Sequence, residues 1–121
     1  MILKVLQEEL SVCRLKTLPS IEKLGKLCFL GRTDEEISLV CPVEEVPDGV
    51  LVREDGWKAF RVEGVLDFSL IGILARISAI LADAEIGIFV VSTYQTDYVL
   101  TKKEHFDVAL AALAENGYEI I

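Results

Sequence analysis

The chain carries one histidine and three cysteines in 121 residues. One imidazole cannot build a zinc site, and Cys13, Cys28 and Cys41 nowhere show C-x-x-C spacing. Each cysteine sits among apolar residues (SVCRL, KLCFL, LVCPV), as expected of buried reduced thiols, and this points to the cytoplasm. Positive charge is scarce: 12 Lys and Arg stand against 20 Asp and Glu, a net charge of −8. That balance repels phosphate backbones and anionic lipid, so neither nucleic acid nor a membrane surface is expected as a partner. No apolar run approaches the roughly 20 residues of a membrane span. The opening MILKVLQEEL lacks a basic start and a small-residue cleavage site, so it does not read as a signal peptide. Gly64 and Gly72 are too far apart for a phosphate loop, and no lysine follows Gly72. No cofactor is expected.

Apolar residues are plentiful, at 52% of the chain, enough for one packed domain or two very small ones sharing a core. The second half has the clearer pattern. WKAFRVEGVL (57–66) alternates as a strand does. In FSLIGILARISAILADA the apolar stripe Leu70, Ile73, Leu74, Ile77, Ile80, Leu81, Ala84 predicts an amphipathic helix, with Ser69 as its N-cap and Gly87 at its exit. IFVV (88–91) and YVL (98–100) read as strands. Thr101 and Glu104 have capping-box spacing ahead of a second helix, whose stripe is Phe106, Ala109, Leu110 and Leu113. Gly117 suits a left-handed C-cap, and YEII closes as a strand. The order strand–helix–strand–strand–helix–strand is ferredoxin-like.

The first half repeats this order in worn form. LSVCRLK is a strand, and LCFLGR and EEISLVCPV are two more around Thr33-Asp34-Glu35. LPSIEKLG is too short for more than a turn or two of helix, and Pro47 forbids a long helix over EEVPDG. Shifted by sixty, Phe29 falls on Phe89 and the two hairpins coincide. The expected fold is therefore α+β, two tandem ferredoxin-like βαββαβ units over 1–56 and 57–121, the first degenerate. Neither can easily bury a sheet face alone.

Two places invite a functional reading. The loop Asp67–Gly72 leads into the first helix, where free N–H groups and the helix dipole seat a carboxylate, and Gly72 permits close approach. The stretch STYQTDYVLT (92–101) puts Ser92, Thr93, Tyr94 and Asp97 at a hairpin that needs no such residues. In the order 4-1-3-2 we expect strands one and three to be parallel. The hairpin then does not meet the helix start within one unit, and a ligand touching both needs a packed neighbour. Ser92, Asp97 and His105 are the types a hydrolase uses, but nothing resembles a nucleophile elbow. Asp34-Glu35-Glu36 and Glu44-Glu45 read as solvated acidic turns rather than a cation site.

FSLIGILARISAILADAEIGIFVVSTYQTDYVLT resembles an ACT domain, a small regulatory module that binds amino acids. It is most similar to a tandem-ACT group that includes small stand-alone bacterial proteins and the cytosolic arginine sensors of eukaryotes. The hallmark S-T-[aromatic]-x-x-D is matched by Ser92-Thr93-Tyr94-Gln95-Thr96-Asp97, and Trp57 and Phe68 also fit. The resemblance implies a ligand between packed ACT domains, lined by Ser69, Leu70, Ile71, Gly72 and Ile73 and by Ser92, Thr93, Tyr94 and Asp97. It implies that Asp97 holds an amine or basic side chain, Tyr94 forms an apolar wall, Thr93 offers a hydroxyl, and the backbone of Ser69–Ile73 takes the ligand's polar ends. The arginine sensors carry acidic residues where this chain has Ser69 and Leu70, which argues against arginine. The expected protein is a non-catalytic, cytoplasmic, homodimeric sensor of a free amino acid or similar small molecule. The alternative is a structural dimerisation or assembly module with a vestigial site.

Overall fold

The computed structural model describes residues 1–64 and 71–121. Contacts divide the chain into an N-terminal unit, Glu8–Trp57, and a C-terminal unit made of Met1–Gln7 with Lys58–Ile121.

The N-terminal unit contains β2 (Leu10–Leu15), β3 (Phe29–Arg32), β4 (Ile37–Pro42) and the first part of β5 (Val50–Val62). Its strands run in the order β3-β4-β2-β5, and each pair is antiparallel. Counted within the unit this is 2-3-1-4, the ferredoxin-like order read backwards. The two helix positions hold 3-10 turns only, Ile21–Lys23 and Val43–Glu45. Pro42 and Pro47 bracket the second and leave no room for a longer helix. Gly25 lies so close to the Glu45 carboxylate that a Cβ would strike it, which brings the two turns together. Beneath them Cys13, Leu15, Leu39 and Cys41 form a small core, with Leu24, Cys28, Leu30 and Val46 packed against it.

The C-terminal unit keeps its helices. After the last residues of β5 come α1 (Ile73–Asp83), β6 (Phe89–Ser92), β7 (Asp97–Lys102), α2 (Lys103–Glu115) and β8 (Glu119–Ile120). β7 pairs with both β5 and β6. An additional strand, β1 (Ile2–Val5), lies between β5 and β8, antiparallel to the first and parallel to the second. The order is thus β8-β1-β5-β7-β6, the ferredoxin-like 4-1-3-2 with one strand inserted. The opening residues gave too short an alternation to announce this. Leu3, fully buried, anchors β1 in the core with Phe60, Val62, Ile77, Leu81, Val99, Phe106 and Leu113. The α1 stripe packs as expected: Ile77 and Leu81 are fully buried, with Ile73, Leu74, Ile80 and Ala84 against them.

Several local expectations are corrected. β5 begins at Val50 rather than Trp57 and stops at Val62 rather than residue 66. The proposed Ser69 cap lies outside the described residues, and α1 starts at Ile73 with left-handed Gly72 (φ 79°) as its N-cap. Thr101 is drawn into β7 and buried, so Lys102 becomes the N-cap of α2 and no capping box forms. The exit of α1 uses Glu85 (φ 60°) rather than Gly87. There Glu85 N donates to Ala82 O (2.9 Å) and Ile86 N to Leu81 O (3.0 Å), a Schellman closure. Gly117 (φ 93°) closes α2 in the same way, as expected, with its N–H on Ala114 O (3.1 Å) and that of Tyr118 on Leu113 O (3.2 Å).

Candidate functional site

The expected parallel pairing of the unit's first and third strands is overturned by one bond. Thr96 Oγ1, buried beside the start of β7, donates to Val62 O at the end of β5 (2.6 Å). A strand start beside a strand end means the two run antiparallel. The physical reason lies in the crossover: β5 and β6, joined by α1, run the same way, and β7 returns between them. The hairpin tip and the start of α1 therefore stand at the same end of the unit. The start of β1 is also there, since Glu63 N donates to Ile2 O and Glu119 N to Met1 O (2.9 and 3.0 Å). The end of α2 completes the group, because Arg76 Nη2 donates to Asn116 O (3.2 Å).

At this end lies a cavity of about 340 Å³, lined by Met1, Ile71, Gly72, Ile73, Arg76, Asn116, Gly117 and Tyr118. Three sequence-predicted residues are among them. Ile71 is 94% exposed, Gly72 sets the helix entry, and Ile73 begins the helix. The first N–H groups of α1 have no partner within the helix, and the dipole there favours negative charge. Arg76 adds a guanidinium, held 5.8 Å from the centroid of the Tyr118 ring. Sequence reasoning missed Arg76. A signal was available: the first turn holds no acidic residue, and a cation four residues after the N-cap opposes the usual dipole preference. Ser69 and Leu70 lie outside the described residues.

The hairpin residues are engaged differently. Thr93 closes its own turn: its N–H and Oγ1 both donate to Thr96 O (2.8 and 3.0 Å), and Oγ1 accepts from Thr96 N (3.3 Å). Ser92 Oγ donates to Asp97 Oδ1 across the β6–β7 pair (2.5 Å). A hydroxyl-to-carboxylate bond of this length is charge-assisted. Tyr94 projects from the tip, 81% exposed. A second cavity, about 210 Å³, is lined by Arg61, Val62, Glu63, Gly64, Gln95, Thr96 and Tyr98. Arg61 pairs there with Glu63 (3.1 Å), and Tyr98 followed by Glu63 holds its guanidinium further toward the charged form. Among the described residues the two cavities share no lining residue. The structure thus brings the helix start and the hairpin to one end of the unit, but among the described residues Ser92, Thr93, Tyr94 and Asp97 line neither hollow.

The hydrolase grouping does not assemble. Ser92 and Asp97 stand at one end of β7, while His105 is exposed in the first turn of α2 beyond the other. β7 is six residues long, roughly 20 Å, and lies between the two groups. Among the described residues, no three His, Cys, Asp or Glu side chains are placed to hold a metal ion. No helix among them is long and apolar enough to cross a membrane.

The ACT domain family profile matches residues 52–115, just over half of the chain. The chain belongs to the ACT-domain family. An ACT protein so built is similar over 99% of its length to a protein of Agobacterium tumefaciens, at 30% identity, 91% coverage of that chain and a TM-score of 0.88. At 18% identity, a Vibrio cholerae protein of unknown function, described as a possible transport protein, shares the fold over 92% of this chain and 85% of its own (TM-score 0.71). The regulatory subunit of aspartate kinase from Thermus thermophilus, in ligand-free form, shares it at 12% identity over 89% and 92% (TM-score 0.61). No curated protein sequence is significantly similar to this ACT chain. Its ACT-domain match stands beside neighbours that are regulatory domains of aspartate kinase and share its fold.

Proposed function

We propose that the protein is a non-catalytic, cytoplasmic sensor of a free amino acid or similar small molecule, binding it at the end of the C-terminal unit where α1 starts. The observation that carries this reading is the 340 Å³ cavity against the helix start, large enough for an amino acid. In it the backbone of Ile71–Ile73 receives the ligand carboxylate, and Arg76 adds positive charge. Asp97, Tyr94 and the Ser92-Thr93 turn form the hairpin side of the site and take the amine and apolar part. Among the described residues Ser92, Thr93, Tyr94 and Asp97 line no part of that cavity, so a neighbouring subunit brings the two sides together, and the functional form is a homodimer. The two units, Glu8–Trp57 and Lys58–Ile121 with Met1–Gln7 added to the second, are the two ACT copies of a tandem protein of the arginine-sensor group, with a ligand other than arginine.

A charge-assisted bond to Asp97 contributes about 1.5–3 kcal/mol. Micromolar binding requires about 8 kcal/mol, so the carboxylate seat and apolar wall must supply the rest. A panel of amino acids, screened by thermal shift and then by calorimetry, should yield at least one ligand. Asp97→Ala should abolish its binding while leaving the fold intact. Unchanged affinity in that variant rejects the hairpin assignment. A second reading is an assembly module with a vestigial site, favoured by the exposure of Ile71 and Tyr94 at the same end. Failure of the whole panel, together with a dimer stable at nanomolar concentration, would establish it instead.

A further inference from the structure

All three cysteines lie in the N-terminal unit, and they share one face of its sheet. Their spacing along the strands decides which can meet. Phe29 faces Val40 across β3–β4, so continuing that register by one residue sets Cys28 opposite Cys41. Directly opposed residues of an antiparallel pair have Cα atoms about 4.5 or 5.5 Å apart, and both values suit a disulfide. Cys13 faces Leu39 instead, which makes it a diagonal neighbour of Cys41. A diagonal pair is roughly 7–8 Å apart, beyond comfortable reach. Cys13 and Cys28 stand two strands apart, on β2 and just ahead of β3, with β4 between them. That separation is about 9–10 Å. One pair of the possible three is therefore in bonding register.

We propose that Cys28 and Cys41 form an oxidisable thiol pair, closing a cross-strand disulfide in the N-terminal unit when a low-molecular-weight disulfide is present. Cys28 is half-buried and is the entry point, whereas Cys41 is 1% exposed. The Cys28 thiolate attacks one sulfur of the small disulfide, whose bond breaks and releases one thiolate. The Cys41 thiol then loses its proton to solvent and attacks the Cys28 sulfur, displacing the second small thiolate. Two protein thiols are oxidised, and one small disulfide is reduced to two thiols. The second step is the slow one. Burial, followed by Cys13 and Glu45, pushes the Cys41 thiol up to about 12, so little thiolate is present at neutral pH. A mixed disulfide on Cys28 should accumulate first, and its closure should accelerate about tenfold per pH unit.

The test uses the full chain, native, with glutathione disulfide as oxidant. Thiol titration should fall from three to one, and peptide mapping without reductant should join the peptides of Cys28 and Cys41. Cys13→Ala should leave the linkage intact, and Cys41→Ala should stop at a Cys28–glutathione adduct. Circular dichroism confirms that these variants are folded, and mapping of the unmodified sequence decides the matter if one is not. Three thiols surviving native oxidation, a linkage that contains Cys13, or a crosslink between two chains would each overturn the proposal.

Discussion

In β3–β4, Phe29 faces Val40 and Arg32 faces Ile37; in β6–β7, Phe89 faces Leu100 and Ser92 faces Asp97. Both turns close on a threonine. Thr33 N donates to Glu36 O (2.9 Å) as Thr93 N does to Thr96 O (2.8 Å), and each hydroxyl accepts a turn N–H. The threonine thus belongs to the turn and needs no ligand to explain it. What differs is Ser92 and Asp97 against Arg32 and Ile37, Tyr94 and Gln95 against Asp34 and Glu35, and buried Thr96 against exposed Glu36. Comparing the hairpins separates the architecture of the turn from residues available for recognition. Asp97 survives that comparison and Thr93 does not.

The units can be pulled apart by mutation. Phe60→Ala in the helix-covered core should cost about 3–5 kcal/mol in urea unfolding. Leu39→Ala, under turns alone, should fall at the low end of the Leu→Ala range, about 2–3 kcal/mol. Equal losses would show that the 3-10 turns cover their core as well as helices do. A pH effect belongs to the N-terminal unit. The Cys41 thiol rises from 9.0 to about 12 on folding, so its contribution is complete below pH 9 and is lost as pH climbs toward 12, where the unfolded chain ionises first. Unfolding free energy should decline by up to about 1.4 kcal/mol per pH unit in that window. The decline should be weaker in Cys41→Val, and identical profiles would refute the assignment.

Next in size, Thr96→Val strands the buried Val62 carbonyl and should cost about 1–3 kcal/mol, whereas Glu36→Val at the equivalent exposed position should stay within about 0.5 kcal/mol. Smallest, Thr33→Ala and Thr93→Ala should each cost about 0.5–1.5 kcal/mol, and equally. A much larger loss at Thr93 would mean that its hydroxyl does more than close a turn.

Periodicity made the helices and hairpins legible, because their stripes and turns are local. The repeat at sixty residues located both hairpins, and Pro47 signalled the lost helix. Three features were not local and were missed. β1 inserts because Leu3 finds a distant core, which four residues cannot advertise. Thr101 had the spacing of a cap, but strand pairing buried it first. The direction of β7 follows from the crossover through α1 and the β6–β7 hairpin together, not from any residue within β7. At the site, Gly72 and Asp97 were visible as unusual choices. Arg76 hid on the exposed side of an amphipathic helix, where only its conflict with the helix dipole marked it.

The most direct measurement is an amide nuclear magnetic resonance titration with the amino acid that the panel selects. The account predicts shifts concentrated at Ile71–Arg76 and Ser92–Tyr98, with the matching hairpin Arg32–Glu36 silent. Shifts centred on the N-terminal hairpin, or none with any amino acid, would contradict it.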